Sequence, residues 1–119
     1  MLPAARRIRR TADFLRVYRQ GRRAGSENLT LLWRPNGLKV TRFGFSVSKK
    51  IGRAVTRNRS RRLLREVCRR HLHLFRPGFD VVVVAKAGIR ELNYRELEEE
   101  VLSLSRKAKL LVNEGTETS

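Results

Sequence analysis

Acidic residues are scarce in this 119-residue chain. Asp and Glu number 11 against 28 Lys and Arg, a formal net charge of +17. Self-repulsion at such a charge costs stability unless a polyanion compensates it. Cysteine is almost missing as well. Cys68 stands alone, which excludes an intrachain disulfide framework and makes a reducing cytosol the simplest compartment. Long apolar runs are also absent. The longest, Val81 to Ala85, falls far short of the ~20 residues that span a bilayer. Behind the basic residues 1–10, Thr11 to Gly21 is polar and charged, unlike the apolar region of a signal peptide. With a membrane role unsupported, nucleic acid is the expected polyanion, since a strongly basic domain is its usual footprint.

Catalytic chemistry is thin. Two histidines, one cysteine and scattered acids form no recognisable catalytic set. Cys68 and His71 lie three apart on a predicted helix, but two ligands do not make a structural zinc site. Both fall on the apolar stripe, so a core role is expected and no metal site is assigned to the chain. Glu98, Glu99 and Glu100 read as a solvated acidic face that repels nucleic acid.

What is present fits one domain with one modest core. The expected organisation is a loose basic arm over 1–10, an RNA-binding domain over 11–112 and a disordered tail over 113–119. A short helix starts near Thr11, a possible cap, with Asp13 in its first turn and Gly21 at its end. Phe14 and Tyr18, four apart, share one face. Leu29 to Trp33 reads as a strand, and Pro35-Asn36-Gly37 as a turn. From Val40 to Val47 the residues alternate, with Phe43, Phe45 and Val47 on one side and Arg42, Gly44 and Ser46 on the other.

A longer helix is predicted over about Val55 to Leu74. Leu63, Leu64, Val67, Cys68, His71 and Leu72 form its stripe. Phe79 to Ala85 reads as a central strand. Asn93 caps a last helix, with Glu96 placed for a capping box and Leu97, Val101, Leu104, Ala108 and Leu111 as its buried stripe. The pattern is α-β-β-α-β-α: a single α+β domain with a small sheet packed by helices.

The run from Lys49 to Arg65 carries eight basic residues among 17 and no acid. Ordinary solvated helix faces mix Glu with Lys to gain pairs one turn apart. Here like charges repel, and arginine, suited to bidentate phosphate contact, dominates. Arg57, Arg61 and Arg65 are spaced at four, with Asn58 and Arg62 beside them, opposite the apolar stripe. Gly52 lets the backbone approach a phosphate closely, and the helix start adds its positive dipole end. Composition alone leaves three readings open: a ribonucleoprotein subunit, a structural RNA-binding protein of the ribosomal type, and a DNA-compacting protein.

The stretch Phe45-Ser46-Val47-Ser48-Lys49-Lys50-Ile51-Gly52-Arg53-Ala54-Val55-Thr56-Arg57-Asn58-Arg59 closely resembles the signature of the bacterial ribonuclease P protein subunit, whose hallmark is the Arg57-Asn58-Arg59 triplet. Weaker likeness extends over about the whole chain. The resemblance implies an accessory subunit of an endoribonuclease whose catalyst is RNA. That enzyme removes the 5′ leader from precursor transfer RNA with magnesium bound mainly by the RNA. It implies a cytoplasmic protein with catalytic RNA and precursor transfer RNA as partners, and no obligate protein partner. It also implies a ribosomal-S5-domain-2-like fold with a left-handed βαβ crossover, against the general right-handed rule.

By the same resemblance, Lys49, Lys50, Arg53, Arg57, Asn58, Arg59, Arg61, Arg62 and Arg65 face the catalytic RNA. A leader-binding cleft takes Phe14, Tyr18, Leu32, Ser46 and Lys86. From the residues alone, Phe14 and Tyr18 would be read as core; exposed beside arginines, they would instead form a stacking platform. Leu32 stands where many family members have tyrosine, so its contact would be apolar only. Trp33 points to the opposite face, as core or as a second contact.

Overall fold

The computed structural model describes residues 2–112. The tail expected over 113–119 lies outside the described residues. Helix α1 (Thr11–Gln20) is followed by strands β1 (Arg22–Gly25), β2 (Leu29–Pro35) and β3 (Arg42–Ser46). Helix α2 (Ala54–Arg70), strand β4 (Phe79–Ala85) and helix α3 (Tyr94–Lys107) complete the domain. The four strands form one mixed sheet in the order β1-β2-β4-β3. β2 is antiparallel to both β1 and β4. β3 and β4 are parallel neighbours joined through α2. The apolar β4 is central, as expected, and β1 is an additional strand without a sequence signal.

One sheet face carries Leu29, Leu31, Phe43, Val81 and Val83, and packs against Leu64, Val67 and Cys68 of α2 and Leu97, Val101 and Leu104 of α3. Full burial of each such side chain contributes about 1.5–3 kcal/mol. The other face is covered only in part. Val17 of α1 packs there with Leu32 and Val82. The capping box of α3 forms as expected, with Asn93 Oδ1 accepting from the Glu96 N–H and Glu96 Oε1 accepting from the Asn93 N–H. Leu111 lies beyond that helix and is buried through an antiparallel bridge to Phe75.

Two expectations need correction. Residues 2–10 are not a loose arm. Leu2 and Ile8 are buried, the Ile8 N–H donates to the Phe43 carbonyl at 2.9 Å, and Arg7 bridges to Phe43 in parallel. This segment therefore covers the open edge of β3, satisfying backbone groups that a bare edge would expose. Thr11 does not cap α1; Arg10 holds that position without a side-chain cap. Gly21 ends α1 as expected, with an ordinary φ of −80°. Its requirement is space, since a β-carbon would stand 2.5 Å from the Val17 carbonyl oxygen and 2.8 Å from that of Trp33.

Candidate nucleic-acid interface

Helix α2 begins after Gly52, whose φ of 149° is strained for any L side chain. No acid sits in its first turn and no side chain caps it. Arginines near a helix N-terminus oppose its dipole, so this end lacks compensation from within the chain. Ser60, Leu64, Val67 and Cys68 are buried, while Asn58, Arg59, Arg62 and Arg65 are exposed and Arg57 and Arg61 half-buried.

The arginines do not form a single row. Arg57 Nη1 donates to the Gly52 carbonyl at 3.0 Å, and Arg61 donates to Asn58 Oδ1 at 3.1 Å and to the Val47 carbonyl at 3.5 Å. Arg59 leaves by the opposite flank, donating to the Leu92 carbonyl at 3.5 Å. Two residues apart at 3.6 per turn, Arg57 and Arg59 must diverge, with Asn58 between them. Lys49, Lys50 and Arg53 are exposed just ahead of the helix.

None of the eight cations from Lys49 to Arg65 pairs with an acid among the described residues. The helix's acid, Glu66, is taken by residues farther along, Arg69 at 2.6 Å and Arg70 at 2.9 Å. Hydrogen bonds from these two hold the Glu66 carboxyl down to about 2.

The second feature is the partly covered sheet face. Pairing sets three rows across it: Arg34, Asp80 and Arg42; then Leu32, Val82 and Gly44; then Thr30, Val84 and Ser46. Helix α1 lies over the middle row, with Val17 on Leu32 and Val82 and the Phe14 ring on Gly44. This removes Leu32 from the cleft: it is 2% exposed and is part of the packing under α1. Phe14 is half-buried, and Tyr18 is 43% exposed. Thr30, Val84 and Ser46 form a half-buried floor beside them. Lys86 continues the line of Val84 with extended backbone, its Nζ donating to the Ser26 carbonyl at 2.6 Å. Trp33 faces the other way and packs half-buried against the main core.

A groove of about 220 Å³ joins the two features, lined by Phe14 and Gly44 together with Arg61 and Arg65. Two basic residues not singled out from the sequence belong to this surface. Arg7 lines the same groove. Arg90 donates to the Ile51 carbonyl at 3.2 Å, which sets it beside Lys49, Lys50 and Arg53. Neither had a signal beyond its charge.

The acidic run is not a bare solvated face. Glu98 Oε2 lies 2.7 Å from His71 Nε2. Glu100 accepts from the Asn28 N–H at 2.7 Å, from Asn28 Nδ2 at 2.9 Å and from the Ser26 hydroxyl. Of the three, Glu99 alone is exposed rather than half-buried. Cys68 is buried, which pushes its thiol pKa up, away from reactivity or metal ligation.

A family model described as Ribonuclease P matches residues 2–109. The chain is 41% identical to the ribonuclease P protein component of Caldanaerobacter subterraneus subsp. tengcongensis over 104 residues, 87% of this chain and 90% of the relative. It is 38% identical to that of Natranaerobius thermophilus, with the same coverage. Among solved structures it resembles a Staphylococcus aureus RNase P protein mutant with defective mRNA degradation activity, with TM-score 0.83, 30% identity and coverage of 89% and 90%. It also resembles the RNase P protein of Thermotoga maritima, with TM-score 0.78, 32% identity and coverage of 84% and 96%.

Proposed function

This chain belongs to the ribonuclease P protein family, as a protein subunit of that transfer-RNA-processing enzyme, and we propose that it grips the catalytic RNA with α2 while holding the 5′ leader of precursor transfer RNA against α1. The observation that carries this reading is the set of eight cations from Lys49 to Arg65, none paired with an acid among the described residues, beside a partly exposed aromatic pair.

Lys49, Lys50, Arg53, Arg57, Asn58, Arg59, Arg61, Arg62 and Arg65 contact RNA phosphates and sugars. Guanidiniums bind phosphate bidentately, and each neutralised phosphate releases counterions. Arg57, Arg59 and Arg61 are held by main-chain carbonyls, which lowers the entropy lost when they bind. Because Arg57 and Arg59 diverge, α2 contacts two backbone segments rather than one.

The leader is single-stranded, so its bases are free to stack on aromatics. Phe14 and Tyr18 supply the stacking faces, and Thr30, Val84 and Ser46 the floor. Lys86 supplies a charge for a passing phosphate. Holding the leader and the catalytic RNA on one rigid body positions the scissile strand for the RNA's own chemistry. Magnesium bound mainly by the RNA would supply the hydrolytic chemistry. The described residues contain no cluster of three metal-ligating side chains, and Glu98 and Glu100 already serve His71 and the Ser26–Asn28 turn. The chain's part is binding and positioning, in the cytoplasm where precursors are processed.

The test mixes this chain with a bacterial ribonuclease P RNA and a precursor transfer RNA at low magnesium. Cleavage at the mature 5′ end should be enhanced. No enhancement would overturn the reading and favour a structural RNA-binding role.

A further inference from the structure

The end row of the sheet face, beside the first turn of α1, holds Arg34, Asp80 and Arg42 side by side. Asp80 is 3% exposed and is held from two sides. Arg42 donates to it from Nε at 2.8 Å and from Nη2 at 2.6 Å, and Asn36 Nδ2 donates to it at 3.0 Å. Asp13, in the first turn of α1, lies 3.5 Å from the same guanidinium. The ion pair therefore forms a rigid base. Above it is an open cavity of about 330 Å³, lined also by Arg9, Arg10 and Arg34.

The charges around this cavity do not balance. Arg42 is matched by the two aspartates, and Arg16 shares Asp13 at 3.3 Å. Arg9, Arg10 and Arg34 pair with no acid among the described residues. Arg34 is half-buried on β2, with its stem along the sheet, and lines the cavity. Converging guanidiniums without counter-ions in a concave site are suited to a phosphate group. The cavity also continues the line of the cleft. Phe14 and Tyr18 lie four apart on one side of α1, about 6 Å along its axis, and Arg10, the N-cap residue, stands four residues before Phe14.

We propose that this arginine pocket binds backbone phosphates of the leader nucleotides farther upstream than those stacked on Tyr18 and Phe14. The proposal rests on the leader-cleft reading above. A strand lying along α1 passes Tyr18, then Phe14, and delivers its next phosphates to Arg10, Arg9 and Arg34. Leader length then matters to affinity, independently of leader sequence.

The test uses holoenzyme with the double variant Arg9→Gln and Arg34→Gln. Arg42 is left in place, because removing it would strand buried Asp80. Binding is measured for mature transfer RNA, for a precursor whose leader ends at the stacked nucleotides, and for one several nucleotides longer. The variant should lose about a hundredfold of the affinity gained on lengthening the leader, about tenfold for each charge-assisted contact removed. Affinity for the short leader should not change. An undiminished gain would overturn the pocket, as would an equal loss on all three RNAs, which would place the pocket against the catalytic RNA. A parallel Phe14→Ala arm separates the two readings. If Phe14→Ala affects mature and leader-bearing RNA equally, the cleft reading fails; if its loss is leader-specific and the length gain persists in the arginine variant, only the pocket fails.

Discussion

The Phe14 ring occupies the space above Gly44, where a β-carbon would stand 2.5 Å from Phe14 Cζ and 2.6 Å from Cε1. This contact seats α1 on β3 and leaves part of the ring facing the cleft. Gly44→Ala should force the ring aside, lowering stability by about 1–3 kcal/mol through overpacking. Affinity for leader-bearing precursors should fall with it. Urea denaturation and holoenzyme binding check the pair of effects; no change in either would show that the ring is not seated there.

Phe14→Ala addresses the stacking role itself. Binding of leader-bearing precursor by holoenzyme should weaken by about 1–3 kcal/mol, the value of one stacked base. Binding of mature transfer RNA should be unaffected. An equal loss on both substrates would make Phe14 a packing residue only.

Arg90 extends the phosphate-binding surface beyond α2, tethered by the Ile51 carbonyl. Its side chain is 53% exposed, so Arg90→Gln should leave thermal stability nearly unchanged. The salt dependence of catalytic-RNA binding should become shallower by about one counterion. A slope equal to wild type would remove Arg90 from the interface.

Glu100 ties α3 to the turn before β2. Burial pushes its carboxyl pKa up, but hydrogen bonds from Ser26 and Asn28 outweigh this and hold it below the ordinary value. A depressed folded pKa means stabilisation that is complete above the unfolded value of about 4.3 and lost as pH falls through the folded one. Glu100→Gln should cost about 1 kcal/mol near neutral pH, screening by solvent limiting the loss. The acid-side decline in stability should become shallower. Denaturation from neutral pH down through the carboxylate range checks this, and an identical pH profile would contradict it.

Much of the domain was legible along the chain. The capping box of α3 and the central apolar β4 follow from local pattern, and the run from Phe45 to Arg59 carried the family likeness. The errors share a physical origin. Alternation correctly set Leu32 opposite Trp33, but whether that face meets solvent depends on where α1 lands, a tertiary fact. Arg22-Arg23-Ala24-Gly25 has no strand pattern and is held as β1 by its pairing with β2. Leu2, ahead of Pro3, and Ile8, among arginines, are isolated apolar residues, so their burial in the main core and under α1 had no periodic signal. The divergence of Arg57 and Arg59 was different: it follows from helical phase alone, and the four-residue spacing of Arg57, Arg61 and Arg65 had masked it.

The most direct measurement is the affinity of this chain for ribonuclease P RNA as a function of salt, for wild type and for Arg57→Ala with Arg59→Ala. Two lost phosphate contacts, one on each flank of α2, should weaken binding and lower the slope of log affinity against log salt by about two. A double variant with an unchanged slope would contradict the assignment of α2 as the RNA-gripping surface.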